Sequence, residues 1–254
     1  RCFALLCVCA ICGSPPCYLI FENGYSDGQR LMMNERDKMR AGLPHNPMDA
    51  ALDAERERAK EWLHDYNVCT RPGDMARRRE LMAALLGKGG ESAYIVQPFY
   101  CDYGRYIEVG DNFFANFNCT MLDAGGIKIG DNVLLAPNVG LYTVGHPLDA
   151  GLRNQAWEDA KPIVIGDNVW IGAGCTIVGG VTIGDNAVIA AGSVVTKNIP
   201  ADMLAMGVPC RPVRKITEAE RAAADEANAA RLAIEQAEAQ RFAAEDAVPA
   251  RISP

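Results

Sequence analysis

A mainly β fold is predicted: a parallel β-helix built of six-residue repeats, with a helical head before it and a helical or disordered tail after it. Three observations carry this. Isoleucine returns every six residues at Ile165, Ile171, Ile177, Ile183 and Ile189, and Val195 keeps the beat. Four residues after each beat stands another small or apolar residue: Val169, Cys175, Val181, Ala187, Ser193, Ile199. A strand repeats every two residues and a helix every 3.6, so neither produces a beat of six. One short strand plus a corner does. The second observation is the triplet Gly-Asp-Asn, which recurs at 110–112, 130–132, 166–168 and 184–186. The last two triplets are eighteen residues apart and the middle two thirty-six, so a coil has three sides and the triplets stack at one corner. Gly, Asp and Asn suit corners because they tolerate positive φ and bond their own backbone. The first gap is twenty, which predicts two extra residues bulging near Gly125-Gly126. The third observation is a single interruption. Ile129, Leu135 and Leu141 are in phase, residues 145–162 carry no repeat, and Ile165 resumes it. That segment reads as a loop thrown out of the prism, and long loops in compact repeats are usually functional.

In chain order, residues 1–31 form an apolar, cysteine-rich extension. It holds Cys2, Cys7, Cys9, Cys12 and Cys17, five of the ten cysteines, and starts with Arg1. Three readings compete: a secretory signal, a metal site at the Cys9–Cys12 spacing, and sequence upstream of a true start at Met32 or Met33. The third is preferred over the signal because no small-residue cleavage site stands out. The metal reading ranks last, with no second pair and no histidine nearby. Residues 32–90 read as a helical head. Pro47-Met48-Asp49 opens a run with Leu52, Ala59, Leu63 and Tyr66 on one face. Asp74 is placed to cap a further helix carrying Leu81, Leu85 and Leu86. Residues 91–216 are the β-helix, with its loop at 145–162. Residues 217–254 are rich in Ala, Glu and Arg, with too few large apolar residues for a strong coiled coil.

The chain of 254 residues has a formal net charge of −7 and no basic run of useful length, which argues against a nucleic-acid partner. No clean stretch of ~20 apolar residues is present to span a membrane. The five remaining cysteines are scattered singly and read as small core residues of a reducing, cytoplasmic compartment.

Several residues do not fit a structural repeat. His146 stands where the beat breaks, between Gly145 and Pro147. A histidine near its usual pKa of ~6.5 accepts a proton at neutral pH. His64 lies within a helical run and reads as structural. Asn116 follows the in-phase Ala115 and is expected to point outward, whereas Asn118 reads as a corner residue. Asp102, Tyr103 and Asp123 are polar residues early in the prism. Thr196 and Lys197 break an apolar coil, and Arg211 and Arg214 follow; such cations suit phosphate, although a solvated terminus is the plainer reading for any one of them. Trp170, just past a corner, is placed either to stack on a planar ligand or to fill a subunit interface.

Residues 34–216 resemble the maltose and galactoside O-acetyltransferases of the hexapeptide-repeat superfamily, with the nodulation sugar acetyltransferases close by. The motifs that carry this are RDKMRAGLPHNPMDAAL, NFFANFN, LAPNVGLYTVGHPLD, VWIGAG, AAGSVVTK and GVPCR. The resemblance implies a left-handed β-helix and a homotrimer with acetyl-CoA sites between subunits. It implies that His146 is the general base and that Asn116 helps hold the oxyanion, a role worth ~3–4 kcal/mol for a well-aimed donor. It places Asn46, Asp102, Asn116 and Asp123 at the acceptor sugar. Trp170, Ala173 and Ala191 would lie along the pantetheine arm, with Thr196, Lys197, Arg211 and Arg214 at the nucleotide end. No metal is implied. Two departures bear on the sugar. Asn46 stands where the family usually has aspartate, and Ala124 where galactoside enzymes tend to have a second acid. The second departure favours the maltose branch, with maltose, glucose or a related saccharide as acceptor. A galactoside or nodulation-type acceptor is the alternative.

Two rival readings are weaker. A hexapeptide carbonic anhydrase needs three histidines around a metal, and the prism has one. A non-catalytic scaffold has no use for His146, Asn116 and the cation cluster together.

Overall fold

The computed structural model describes residues 27–220 and part of the stretch 222–236. The cysteine-rich extension before residue 27 and most of the tail lie outside the described residues, so the expectations made for them are not addressed. A short helix, Asp27–Met32, straddles the boundary expected at residue 32.

The head is helical, and its polar residues cap where the sequence places them. Asn34 accepts from Asp37 N at the start of the helix Glu35–Arg40. Asp49 accepts from Ala51 N and Leu52 N and opens Ala50–His64. Asp74 accepts from Arg77 N and opens Met75–Leu85. Each cap satisfies amides that the first helical turn leaves without partners. The long helix does not run on through Asn67 as an α-helix. Residues Asp65–Cys69 wind into a π turn that keeps Tyr66 buried. Leu63, Tyr66, Leu81, Leu85 and Leu86 join one apolar cluster with Ile95 and Phe99. The head thereby closes the first end of the prism, where a coil would otherwise expose its interior.

The prism has three parallel faces. The first stacks Tyr94–Ile95, Phe114–Ala115, Leu134–Leu135, Trp170–Ile171, Val188–Ile189 and Met203–Met206. The second stacks Phe99–Cys101, Cys119–Leu122, Gly140–Tyr142, Thr176–Val178 and Val194–Val195. The third stacks Ile107–Glu108, Ile127–Ile129, Ile163–Ile165 and Thr182–Ile183. Successive beats fall on successive faces, so every third beat is in register: Leu135 with Ile171 and Ile189, Leu141 with Ile177 and Val195. These side chains are fully buried, and with their neighbours they form one continuous core.

The corners explain the triplets. Asn112, Asn132, Asn168 and Asn186 all have φ between 55° and 58°, the left-handed region that asparagine tolerates better than most residues. Their amides form a ladder from coil to coil at 3.0–3.1 Å. Beside it, Asp131, Asp167 and Asp185 each accept from the backbone N–H of the preceding coil's aspartate at 2.8–2.9 Å. The two extra residues sit where expected, at the corner between Cys119–Leu122 and Ile127–Ile129, where Gly126 takes φ 91°.

The interruption is a folded excursion. Val144–Gly145 pairs antiparallel with Asp159–Ala160, and Asp149 caps a short helix, Ala150–Arg153, between them. At the far end Arg211–Lys215 turns back antiparallel on Met203–Met206. Thr217 and Glu220 then form a reciprocal capping box, and the described residues beyond are helical and exposed. Of the five described cysteines, Cys101, Cys119, Cys175 and Cys210 are buried as expected. Cys69 is exposed, because it ends the π turn on the outer side of the head. Among the described residues no helix is long and apolar enough to cross a membrane.

Candidate active site

The site residues fall on two different edges of the prism. His146 lies on the edge between the second and third faces, where the excursion leaves. Its side chain is half exposed, and Nδ1 is 3.1 Å from the carbonyl oxygen of Trp157. A carbonyl can only accept, so Nδ1 carries a proton, and in the neutral ring Nε2 presents a lone pair. Asp102 lies on the same edge. Burial raises its carboxyl, while Arg56 and Lys60 pull it down. Asn46 adjoins on the head. Its backbone N–H donates to Glu35 at 2.6 Å, and its Oδ1 accepts from Met48 N at 3.0 Å, which leaves its Nδ2 donor for a ligand.

Three residues to which spacing gives no role also meet here. Glu158 stands with Oε1 3.9 Å from His146 Nε2. Burial raises its carboxyl, and the adjacent His146 lowers it. His45 exchanges both backbone hydrogen bonds with Glu158, at 3.0 and 3.1 Å, which pins the excursion to the head. Arg56 donates to the Tyr103 hydroxyl at 2.9 Å, and burial pushes that phenol up to about 12. The one sequence signal for Glu158 is that it is an acid inside the segment without a repeat.

Asp123 is placed differently from the expectation. It is fully buried, and its carboxylate accepts from Tyr103 N at 2.8 Å and Tyr106 N at 3.2 Å. Burial pushes it up to about 6 against the pull of those donors. Asp123 therefore holds the wide corner that presents Asp102, with both carboxylate oxygens accepting from backbone donors. Asp123→Asn replaces one acceptor oxygen by an NH2 donor that faces a backbone N–H, so a loss of about 1–3 kcal/mol is expected, read as a fall in the thermal unfolding midpoint.

The other edge, between the first and second faces, carries Asn116. Its Oδ1 accepts from Phe117 N at 2.8 Å, which turns the Nδ2 donor away from the chain. Ala173 and Ala191 are exposed on the following coils of that edge, with Gly192 N bonded to Ala173 O at 2.8 Å. Trp170, 52% exposed, stands on the first face beside them. Arg211 and Arg214 lie on the terminal strand of that face. Both terminal nitrogens of Arg214 are held by Glu220 at 2.8–2.9 Å, and Arg211 donates to the Cys210 carbonyl at 2.7 Å. Thr196 and Lys197 are exposed on the His146 edge instead. The strand Cys119–Leu122 separates the two edges, roughly 13 Å of extended chain. Within one chain, Asn116 and His146 therefore stand on different edges of the prism.

Comparison with known proteins agrees with this architecture. Residues 38–90 match the maltose acetyltransferase hexapeptide capping motif, and residues 162–197 the bacterial transferase hexapeptide of six repeats. The chain is 43% identical to the galactoside O-acetyltransferase of Escherichia coli K12 over 191 residues, covering 75% of this chain and 94% of that protein. A crystal structure of a maltose O-acetyltransferase from Clostridium difficile 630 superposes with a TM-score of 0.71 at 48% identity, covering 73% of this chain and 99% of the other. A galactoside acetyltransferase in complex with coenzyme A superposes at 0.70 and 41% identity, covering 74% and 94%. With the capping head, the coils and whole-length relatives all in agreement, the chain belongs to the maltose and galactoside O-acetyltransferase family of hexapeptide-repeat proteins.

Proposed function

We propose that this protein transfers the acetyl group of acetyl-CoA to a hydroxyl of a small sugar, with His146 as general base. One observation carries the reading: the half-exposed His146 ring is held through Nδ1 by the Trp157 carbonyl, which leaves Nε2 for the acceptor, beside the Glu158 carboxyl. Nε2 takes the proton of the acceptor hydroxyl as that oxygen attacks the thioester carbon. The C–S bond breaks, and the leaving thiolate takes the proton back from His146. Asn116 Nδ2 donates to the oxyanion formed between these events. Asp102 and Asn46 hydrogen-bond the sugar. Trp170, Ala173 and Ala191 line the path of the pantetheine arm, and Thr196, Lys197, Arg211 and Arg214 take the nucleotide end.

On this reading two chains complete each site, and the placement of Asn116 and His146 on different edges supports it. The first face supplies a surface for this, since its outward residues Tyr94, Leu134 and Trp170 are exposed apolar side chains stacked in register with Phe114 and Val188. A closed ring of three copies, each presenting one edge to the next, satisfies every chain equally.

Ala124, buried at the wide corner, offers no second acid to the acceptor, which favours a maltose or glucose acceptor over a galactoside. Thiol release from acetyl-CoA, measured against maltose, glucose, galactosides and chitin fragments, tests this. Release that depends on a sugar, fastest with maltose or glucose, is the expected result. Faster release with galactosides would transfer the acceptor assignment to them. No saturable binding of acetyl-CoA would leave only a scaffold.

A further inference from the structure

We propose that His45 is a positioning residue for acetyl transfer: its buried Nε2 and its doubled backbone bridge hold the Glu158 carboxyl against His146. This rests on the reading of His146 as the base. The His45 side chain is fully buried, yet its Nε2 has no hydrogen-bond partner among the described residues. Buried polar nitrogens are seldom left so, and each unmet one is a cost that a function can explain. The group facing it is Glu158, whose Oε2 is 3.8 Å away. The other oxygen of the same carboxyl is the one 3.9 Å from His146 Nε2. Glu158 therefore stands between two imidazoles, one sealed inside the protein and one open to the acceptor.

The hydrogen positions sharpen this. His45 Nδ1 lies 3.4 Å from the Leu43 carbonyl oxygen, as His146 Nδ1 lies by that of Trp157. Both rings thus carry their protons on Nδ1 and turn Nε2 lone pairs toward one carboxyl. Burial lowers His45 and raises Glu158, which favours a proton on the carboxyl, facing His45. Other charges act on the pair: Glu35, Asp159 and Arg56 on His45, and Asp102, Arg56 and Asp159 on Glu158. With Oε2 held by His45, Oε1 stays beside His146 and faces the imidazolium that forms when the acceptor loses its proton. The doubled backbone bridge between His45 and Glu158 keeps this geometry while the sugar comes and goes.

Two substitutions separate the ring's nitrogens. His45→Asn keeps an amide donor near Nδ1 and deletes the reach to Glu158. His45→Gln can place its amide oxygen near Nε2, an acceptor facing the Glu158 carboxyl. His45→Asn is expected to lower kcat about tenfold, the scale of a small misplacement in a site, with KM for acetyl-CoA unchanged. His45→Gln is expected to recover most of that loss. Glu158→Gln should lower kcat at least as far, and the double variant with His45→Asn no further than Glu158→Gln alone, because His45 acts only through Glu158. Additive losses, or a folded His45→Asn enzyme with normal kcat, overturn the proposal. If His45→Asn fails to fold, His45→Phe, which keeps the ring's bulk, replaces it in the same cycle with the same two outcomes. His146→Ala run alongside separates the failures: activity in that variant defeats the base assignment itself, whereas its loss beside an unaffected His45→Asn defeats only the inference about His45.

Discussion

Replacing His146 by alanine is expected to lower kcat by about 10²–10⁴-fold, the contribution of a general base, and to leave the fold unchanged. The fold should survive because the ring is half exposed and lies outside the apolar clusters of the core. What is lost is its bond to the Trp157 carbonyl, while the excursion keeps its antiparallel pairing and its bridge to His45. Turnover should fall because a sugar hydroxyl is a poor nucleophile until its proton has somewhere to go. The loss should lie in kcat, with KM for acetyl-CoA little changed, since the imidazole interacts with the hydroxyl and not with the nucleotide. Steady-state rates at saturating sugar, with a thermal unfolding midpoint beside them, decide it. Near-normal turnover in a folded variant would sink the mechanism.

Asn116→Ala should lower kcat by about 10²–10³-fold, the cost of losing one oxyanion donor. The two variants together test more than either alone. If the base and the oxyanion donor of one site come from different chains, a mixed assembly contains interfaces where one chain supplies an intact His146 and its neighbour an intact Asn116. Unfolding the two inactive variants together and refolding them as a mixture should restore about a quarter of wild-type activity, because each interface needs one particular order of two equally abundant chains. Activity that stays at the level of the separate variants would place both groups in one chain's own site, against the spacing of the edges.

Much of this molecule is legible in one dimension because its core obeys a simple rule. A prism coil has room for one inward side chain at each beat, so Ile171, Leu135 and Ile189 had to match, and they do. The corners are legible because the left-handed backbone at Asn132 and Asn168 restricts the choice of residue. His146, Asn116 and Trp170 stand out for the converse reason, as residues that the repeat does not need. The His45–Glu158 pair is invisible at that level. Its members are far apart in sequence, one on the head and one on the excursion, and no period links them. The backbone donors on Asp123 are invisible for another reason: an acid in a repeat looks the same in sequence whatever its carboxylate faces. Arg214 is found bonded to Glu220 because the tail turns back on itself through a capping box, whose two halves lie in a segment that had been given no role.

The stacked corner has a consequence for how such a molecule changes length. Each coil hands its neighbour the same two hydrogen bonds, one through aspartate and one through asparagine, and Ile165 meets Ile183 after eighteen residues. Duplicating or deleting a unit of that size leaves every surviving contact in phase, so the prism tolerates change in whole storeys. A shift of one residue inside a strand would turn its core side chains to the outside. Insertions are therefore confined to the edges, and the excursion that carries His146 occupies one of the few places where this architecture admits new sequence.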